Sequence, residues 1–394
     1  MDPLSALLNL SASEKLDRGV AYTPQEIAQQ PQTWESTFAR LRKQSGEIQA
    51  FLKSAGIGSA GLNAPAVFLV GAGTSDFIGQ SLHHLLRQKW QCEVIPMAST
   101  SLLTAFDESL LPDRSYVWIS FSRSGDSPEG VQVIERALEQ CPRVRHLVIT
   151  CNSEGRMLSL LKGHPDSLGI VLDDKVNDRG LAMTSSFTNM VLAGQFLAHA
   201  WSVSEFEPIC QSFVEAGRAL LPAAATLAGN LARNGYERAC FVGSAALAGA
   251  AMESALKLLE LTAGRVQTMS QSTLALRHGP MAALNNDSLF VSLLSSDPRR
   301  QKYEIDLLRE VSRKRLTRTV VAIAPAHIEE AYSEAGHILE LQPGSGIPDL
   351  YRPVLDVLFG QLLGLFASLE VGLKPDTPSP TGAISRVVQN IGSY

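Results

Sequence analysis

The sequence predicts an α/β protein with a helical arm followed by two copies of one domain, each a parallel sheet between two layers of helices. Two observations support this prediction. Short apolar runs alternate with helical segments from residue 67 onward, and the same order of runs recurs further along the chain. The length of 394 residues also suits two or three domains of ordinary size.

The apolar runs of the first copy are too continuous for strands with one exposed face and too short for typical helices. Such runs are typical of buried parallel strands that are joined by crossover helices. The five runs comprise residues 67–70, 94–96, 116–121, 146–150 and 169–172.

The second copy repeats the first at a nearly constant spacing. From Val70 to Val242 the offset is 172 residues, and the runs ending at Ser122 and Ser295 are 173 apart. The runs starting at residues 145 and 318 are also 173 apart, and those at 191 and 357 are 166 apart. Because order and spacing agree, duplication is favoured over chance matching of apolar strands. The predicted limits are 1–62 for the arm, 63–205 and 206–371 for the two copies, and 372–394 for a tail that closes on the site.

Two helical predictions concern the ends of the chain. Residues 23–26 (Thr-Pro-Gln-Glu) have the pattern of a capping box, and one helix is predicted over 32–54. The apolar stretch 354–373 contains Asp356, Gln361 and Glu370, which argues against a membrane span and predicts a buried core helix.

Composition excludes several classes of protein. The chain has 34 Lys+Arg and 39 Asp+Glu, a net charge of −5, which argues against nucleic-acid binding. Its five cysteines are scattered without a CxxC pair, which argues against a disulfide framework or a zinc site. The first apolar run lacks the preceding basic region of a signal peptide. We therefore expect a cytoplasmic protein without a membrane segment.

Two loops that follow predicted strands are candidates for anion binding. Residues 71–76 (Gly-Ala-Gly-Thr-Ser-Asp) only partly resemble a dinucleotide fingerprint, because Asp76 stands where its third glycine should be. A glycine turn with two hydroxyls, on Thr74 and Ser75, at a helix start suits a smaller anion.

The second loop, within residues 120–129, carries hydroxyls at positions 122, 124 and 127 before a predicted helix start at Pro128. An ordinary strand-to-helix loop would account for Ser127 as the cap, but not for three hydroxyls at one helix N-terminus. The carboxyl edge of an open parallel sheet is where such proteins bind ligands, and a phosphate monoester needs several donors. The phosphate-binding candidates in this loop are Ser122, Arg123, Ser124 and Ser127.

Acid–base candidates lie in the second copy. Glu253 and Lys257 are four residues apart on a predicted helix, a spacing at which a solvated ion pair is the simplest interpretation. Lys257 and Glu260 share a helix face among apolar residues, so Glu260 is a candidate general base. His278, in Arg-His-Gly-Pro, is a candidate acid–base group at a fixed turn.

Together these motifs resemble the sugar isomerase (SIS) domain superfamily, in particular the isomerase half of glucosamine-6-phosphate synthase. That resemblance implies that the loop hydroxyls bind a sugar phosphate and that Glu260 moves a proton between C1 and C2. It also implies that Lys257 lies beside this base, and that His278 assists ring opening from the neighbouring subunit. The motifs are GAGTS (71–75), SFSRSGDSPE (120–129), ESALKLLEL (253–261), RHGP (277–280) and PDTPSPTGAISRVVQ (375–389).

Within the superfamily the chain is similar to the bacterial galactosamine-6-phosphate deaminase/isomerase group, through its length, its arm, residues 178–190 and LELTAG (259–264). There are departures from the synthase. An acidic residue that precedes its histidine is replaced by Ala275, and its C-terminal catalytic lysine falls on Ser385, beside Arg386. No glutaminase domain precedes the two copies.

The resemblance implies the conversion of D-galactosamine 6-phosphate and water to D-tagatose 6-phosphate and ammonia, with no metal or other cofactor. It also implies a homodimer, or a dimer of dimers, with shared active sites. The alternatives are isomerisation without deamination, deamination of glucosamine 6-phosphate, cleavage of sugar–amine adducts, and a non-catalytic sugar-phosphate sensor. Nucleic-acid and membrane partners are not expected.

Overall fold

The computed structural model describes residues 1–58, 64–341, 346–388 and 392. It contains two five-stranded sheets in which all paired strands are parallel, each flanked by helices. The predicted fold class is therefore confirmed. The strands are β1 (Ala66–Gly71), β2 (Val94–Ala98), β3 (Tyr116–Ser122), β4 (Val144–Thr150), β5 (Ser167–Val171), β6 (Arg238–Gly243), β7 (Gln267–Ser272), β8 (Ser288–Leu293), β9 (Thr319–Ala324) and β10 (His337–Glu340).

Helices precede, connect and follow these strands. They are α1 (Pro3–Leu8), α2 (Ala12–Arg18), α3 (Thr23–Ala28), α4 (Gln30–Lys43), α5 (Ser45–Ser54), α6 (Thr74–Trp90), α7 (Ser99–Thr104), α8 (Phe106–Ser109), α9 (Pro128–Gln140), α10 (Arg156–Leu161), α11 (Ser185–Ala198), α12 (Val203–Asn234), α13 (Ala246–Leu261), α14 (Pro298–Arg313), α15 (Glu329–Glu334) and α16 (Pro353–Glu370).

The two sheets have the same strand order. The first runs β2-β1-β3-β4-β5, and the second, read from the matching edge, runs β7-β6-β8-β9-β10. Every residue of the inner strands β1, β3 and β8 is buried, which explains their continuous apolar sequences. The common order is what a duplicated domain would produce.

An unusual backbone conformation recurs at equivalent positions of the two copies. Gly73, which precedes α6, has φ 55° and ψ −124°. Ala245, which precedes α13, has φ 53° and ψ −124°. The two residues are 172 positions apart (245 − 73), the same offset as from Val70 to Val242. Positive φ suits glycine but strains alanine, so the second copy retains the shape of the turn without the residue that favours it.

The chain divides into two compact units, and each unit contains one sheet. The first-sheet unit comprises Gln32–Asn177, Ser185–Cys210 and Ser385–Tyr394, and the second-sheet unit comprises Met1–Pro31, Asp178–Thr184 and Gln211–Ile384. The arm is thus divided between the units after residue 31. The predicted boundary between residues 62 and 63 lies outside the described residues, and the domain limits given above remain a prediction.

Two predictions about the arm are wrong. A single helix over 32–54 is replaced by α4 and α5, which are separated at Gln44. The capping box at 23–26 does not form. Thr23 lies inside α3, and its backbone and hydroxyl both donate to Asp376, while Glu26 accepts from the backbone of residues 179 and 180. Both side chains therefore bond to residues distant in the chain and not to each other's backbone, as a capping box would require.

The apolar stretch near the C-terminus forms α16. Of the residues that the structure describes, only those of α16 make a helix long and apolar enough to cross a membrane, and 89% of that window is buried inside the protein. The prediction of a core helix is confirmed. Its buried Asp356 is paired with Arg352, whose guanidinium donates Nη2 to Oδ1 over 2.6 Å and Nε to Oδ2 over 3.1 Å.

Candidate active site

The first loop of the candidate site joins β1 to α6 in the first-sheet unit. Thr74 and Ser75 begin the helix, and only 5% and 6% of their surfaces are exposed. Within the described residues no side chain caps this helix start, and the backbone N–H groups of residues 75, 76 and 77 donate to the carbonyls of residues 72 and 73. Asp76 follows in the same turn, and burial raises its pKa to about 6.

The second loop follows β3, the strand beside β1, so both loops leave the sheet at its carboxyl edge. Ser122 Oγ accepts from Gly125 N over 3.0 Å, and Ser124 Oγ accepts from Asp126 N over 3.1 Å. Within the described residues neither hydroxyl has an acceptor for its proton. Both can therefore still donate to a ligand.

Ser127 occupies the N-cap position of α9, as predicted, but its hydroxyl makes no capping hydrogen bond. Ser127 thus lies at the helix start, but its hydroxyl does not bond to the first N–H groups of the helix. Since Pro128 has no N–H, the first donors of α9 come from the residues after it. This helix N-terminus therefore has two features of an anion site, a start without a described side-chain cap and an unused hydroxyl.

The loop after β4 holds the serine loop in place. Asn152 Nδ2 donates to Ser124 O over 2.8 Å, and Met157 N donates to Gly125 O over 2.9 Å. Gly125 has φ 69°, and a Cβ atom on it would lie 2.9 Å from the Cα of Gly155. A rigid loop keeps its hydroxyls in a fixed arrangement, which lowers the entropy lost when a ligand binds. Sequence reasoning missed Asn152, although it too follows a strand at the carboxyl edge.

Arg123 connects the serine loop to the tail. It is only 5% exposed, and its Nη2 donates to the carbonyl of Arg386 over 2.6 Å. The side chain of Arg386 donates in turn to Asn177 Oδ1 over 2.6 Å. Ser385 is exposed, and its hydroxyl donates to the backbone of Val387. The tail residues 385 and 386 therefore lie against the loop that contains the candidate phosphate ligands.

A buried charged cluster lies on α13 in the second-sheet unit. Lys257 is fully buried, and its Nζ lies 2.6 Å from Glu260 Oε2 and 3.3 Å from Glu253 Oε1. Glu253 is also fully buried, so the interpretation of a solvated ion pair is wrong. Burial alone would lower the pKa of Lys257, but the two carboxylates outweigh it and raise that pKa. The lysine is therefore held as an ammonium between two carboxylates.

Glu260 is the member of this cluster that reaches solvent. Its side chain is 23% exposed, and within the described residues its Oε1 takes no hydrogen bond. Lys257 thus fixes one oxygen of the carboxylate and leaves the other to act on a ligand. Burying Lys257 and Glu253 is costly, which makes the cluster a candidate for a functional role.

Close packing of α16 against α13 produces this burial. A Cβ atom on Gly360 would lie 2.4 Å from Ser254, and one on Gly364 would lie 2.9 Å from the carbonyl oxygen of Lys257. The two glycines therefore allow α16 to approach the backbone of α13 at the turn that contains Lys257. A larger residue at 364 would push the two helices apart.

His278 lies in the second-sheet unit, at the end of the 3-10 turn Ala275–Arg277. It is exposed, and its ring has no hydrogen-bond partner among the described residues. The structure brings Lys257 together with Glu260 and brings the hydroxyl loops to one edge of the first sheet. These two sets belong to different units. No group of three or more His, Cys, Asp or Glu side chains in the described part of the chain could hold a metal ion.

Three buried carboxylates form a second cluster, also missed from sequence, within the second-sheet unit. Asp376 accepts from the backbone of residues 21–23, and Asp178 accepts from Thr184 N over 2.8 Å. Glu26 accepts from the backbone of residues 179 and 180. Burial, reinforced by the charges of Asp178 and Asp376, raises the pKa of Glu26 to about 8. The signal was present in the resemblance motifs, because two of these carboxylates lie in DRGLAMTSSF and PDTPS.

The raised pKa of Glu26 predicts how stability depends on pH. Between its ordinary value of 4.5 and about 8 the folded protein binds a proton that the unfolded chain releases. The free energy of unfolding should therefore fall as pH rises through this window, by up to about 1.4 kcal/mol per pH unit. Urea unfolding across the window should show this slope in the native protein and a shallower one in Glu26→Gln. Equal slopes would contradict the prediction.

Similar proteins are known. No family model matches the chain. A Streptomyces coelicolor protein provisionally named D-galactosamine-6-phosphate deaminase AgaS is 36% identical over 381 residues, covering 95% of this chain and 96% of the relative. D-galactosamine-6-phosphate deaminase AgaS from Escherichia coli O157:H7 is 33% identical over 380 residues, 94% of each chain. A Clostridium novyi crystal structure, provisionally described as a tagatose-6-phosphate ketose/aldose isomerase, has a TM-score of 0.92 and 29% identity, covering 98% of this chain and 99% of that one.

The strand order shared by both sheets, together with this structural match, places the fold among proteins with tandem SIS domains. Identity above 30% to the two AgaS relatives, over nearly the whole length, identifies the family within this fold. The chain belongs to the D-galactosamine-6-phosphate deaminase AgaS family, and the protein is an enzyme of the amino-sugar phosphate deaminase/isomerase class.

Proposed function

We propose that this protein converts D-galactosamine 6-phosphate and water to D-tagatose 6-phosphate and ammonia. The observation that supports it most is Glu260, a carboxylate with one oxygen fixed by Lys257 and the other without a described partner. This arrangement suits a general base that must take a proton from carbon and return it.

The phosphate group of the substrate is bound by the two loops at the carboxyl edge of the first sheet. The unused hydroxyl protons of Ser122 and Ser124 and the start of α9, which has no described side-chain cap, support this assignment. Arg123 positions the serine loop against the tail, because its guanidinium donates to the carbonyl of Arg386. The proposed phosphate ligands are Thr74, Ser75, Ser122, Ser124 and Ser127.

The chemistry proceeds by proton transfer and hydrolysis. Opening of the sugar ring exposes the C1 aldehyde, which makes the hydrogen on C2 acidic. Glu260 takes that proton, the C1 oxygen gains a proton, and the enolamine formed is protonated at C1 by the same carboxyl group. The C2 ketimine that results adds water and expels ammonia, leaving a C2 ketone and a C1 alcohol. The C1 carbonyl makes the C2 hydrogen acidic enough for a carboxylate to remove it.

His278 assists ring opening and acts across a homodimer. Its exposed ring and its lack of a described partner within its own chain support this role. The resemblance to the synthase implies the same arrangement, in which the histidine reaches the site of the neighbouring subunit. Ser385 and Arg386 lie where that enzyme has its C-terminal lysine, and their position against the serine loop supports a contribution from the tail. We also propose a cytoplasmic location.

The competing function is aldose–ketose isomerisation without loss of an amine, which is suggested by the description of the Clostridium novyi structure. Assaying ammonia after incubation with galactosamine 6-phosphate separates the two functions. We expect one ammonia per ketose 6-phosphate formed. Ketose formation from galactose 6-phosphate, with no ammonia from the amino sugar, would favour the isomerase, and no turnover of either would favour a sensor. Glucosamine 6-phosphate is the matched control, because it differs only at C4.

A further inference from the structure

The serine loop after β3 has a counterpart after β8. Pairing with the neighbouring strand aligns Val70 with Ser120 in the first copy and Val242 with Ser292 in the second, which fixes an offset of 172 (292 − 120). Ser296 therefore corresponds to Ser124. In both copies a proline, Pro128 or Pro298, begins the next helix.

The donors of this second loop converge on one carboxylate. Asp349 is 5% exposed and accepts from Ser296 N and from Ser296 Oγ, each over 2.8 Å. It also accepts from Ser295 Oγ, from Arg300 Nη1 over 3.3 Å and from Arg352 Nη1 over 3.1 Å. Asp349 is thus surrounded by two hydroxyls, one backbone N–H and two guanidinium groups. Proteins bind oxyanions with donors of these types.

The loops of the two copies differ in whether their serine hydroxyls have an acceptor. In the first copy Ser122 and Ser124 have no described acceptor for their hydroxyl protons. In the second copy the hydroxyls of Ser295 and Ser296 both end on Asp349. The glycine-turn hydroxyls have also been lost there, because Ala246 and Leu247 stand at the positions of Thr74 and Ser75 (each 172 later).

We propose that the loop after β8 is a second oxyanion site, that the Asp349 carboxylate occupies it, and that inorganic phosphate binds there once this carboxylate is removed. The proposal draws on the proposed function only in taking phosphate as the anion of the first loop. It also gives the two copies separate tasks, because only the first has an anion site open to substrate.

Neighbouring charges are compatible with such a site. Asp297 and Glu304 are acidic groups at the loop, and both accept hydrogen bonds from backbone N–H groups. Burial raises the pKa of Glu304. Arg352 stays beside the loop after Asp349 is removed, because Asp356 and the carbonyl of Leu294 still hold its guanidinium.

The test measures phosphate binding by calorimetry in a Ser122→Ala/Ser124→Ala background, where the first loop is disabled. Adding Asp349→Ser should raise the stoichiometry from about zero to one phosphate per chain. Asp349→Asn is the matched control, since its amide still fills the site, and its affinity for phosphate should be at least about tenfold weaker. If neither Asp349→Ser nor Asp349→Asn binds phosphate, or if both bind it equally well, the proposal is overturned.

One outcome separates this proposal from the proposed function. If the native protein binds no phosphate but Asp349→Ser does, the first-loop assignment fails and the second site stands. If Asp349→Ser is unfolded in plain buffer, refolding with and without phosphate provides the same test. Recovery of folded protein only with phosphate supports the site, and recovery in neither condition contradicts it.

Discussion

Replacing Glu260 by glutamine should lower kcat for deamination by about 10²–10⁴, while KM changes little. Glutamine keeps the size of the side chain, and its amide oxygen can still accept from Lys257 Nζ, which lies 2.6 Å from the carboxylate. The variant should therefore fold. It lacks a group that can take the C2 proton, so the loss should affect the chemical step and not binding.

Exchange of the C2 hydrogen with deuterated water provides an independent reading of this step. The native enzyme should exchange it, and Glu260→Gln should not. Glu253→Gln is the matched control, because it removes the other carboxylate from the same lysine, at 3.3 Å. We expect a smaller loss of kcat in this control. Equal losses in both variants would show that the cluster acts as an electrostatic unit and that Glu260 is not the base.

Replacing Ser122 and Ser124 by alanine should raise KM for the phosphorylated substrate by about 10- to 150-fold for each hydroxyl. This range corresponds to about 1.5–3 kcal/mol for each hydrogen bond to a charged group. The value of kcat should change much less, because the phosphate is remote from C1 and C2. Initial rates measured over a range of substrate concentrations separate the two constants.

Ser153→Ala is the matched control for the loop serines. It lies on the neighbouring loop after β4 and is exposed, and among the described residues its hydroxyl bonds to the adjacent Glu154. Its KM should equal that of the native enzyme. A double variant at 122 and 124 with an unchanged KM would place the phosphate elsewhere and would remove the basis for assigning the two hydroxyl loops.

The strands could be predicted because their burial leaves a continuous apolar pattern. Burial of both sheet faces forces every residue of β1 and β3 to be apolar or small, so the pattern survives without knowledge of their neighbours. The serine loops followed from the strands, because the loops after neighbouring parallel strands meet at one edge. The duplication was visible for the same reason, since both copies have the same order of buried runs.

What sequence could not provide depends on partners distant in the chain. Glu26 has the spacing of a capping residue, but it accepts from residues 179 and 180, which no local pattern reveals. Lys257 has the spacing of a surface ion pair, but it is buried in the folded protein, where α16 packs closely against α13 at Gly364. Asp349 lies 53 residues after Ser296, so the closed second loop could not be inferred from either segment alone.

The turn at Ala245 also has a consequence for the history of the chain. An alanine with φ 53° stores strain of order 1–3 kcal/mol, yet its backbone matches that of Gly73 to within a few degrees. Common descent of the two copies accounts for this match. The surrounding packing holds the same path of the main chain in the second copy, although alanine does not favour that conformation.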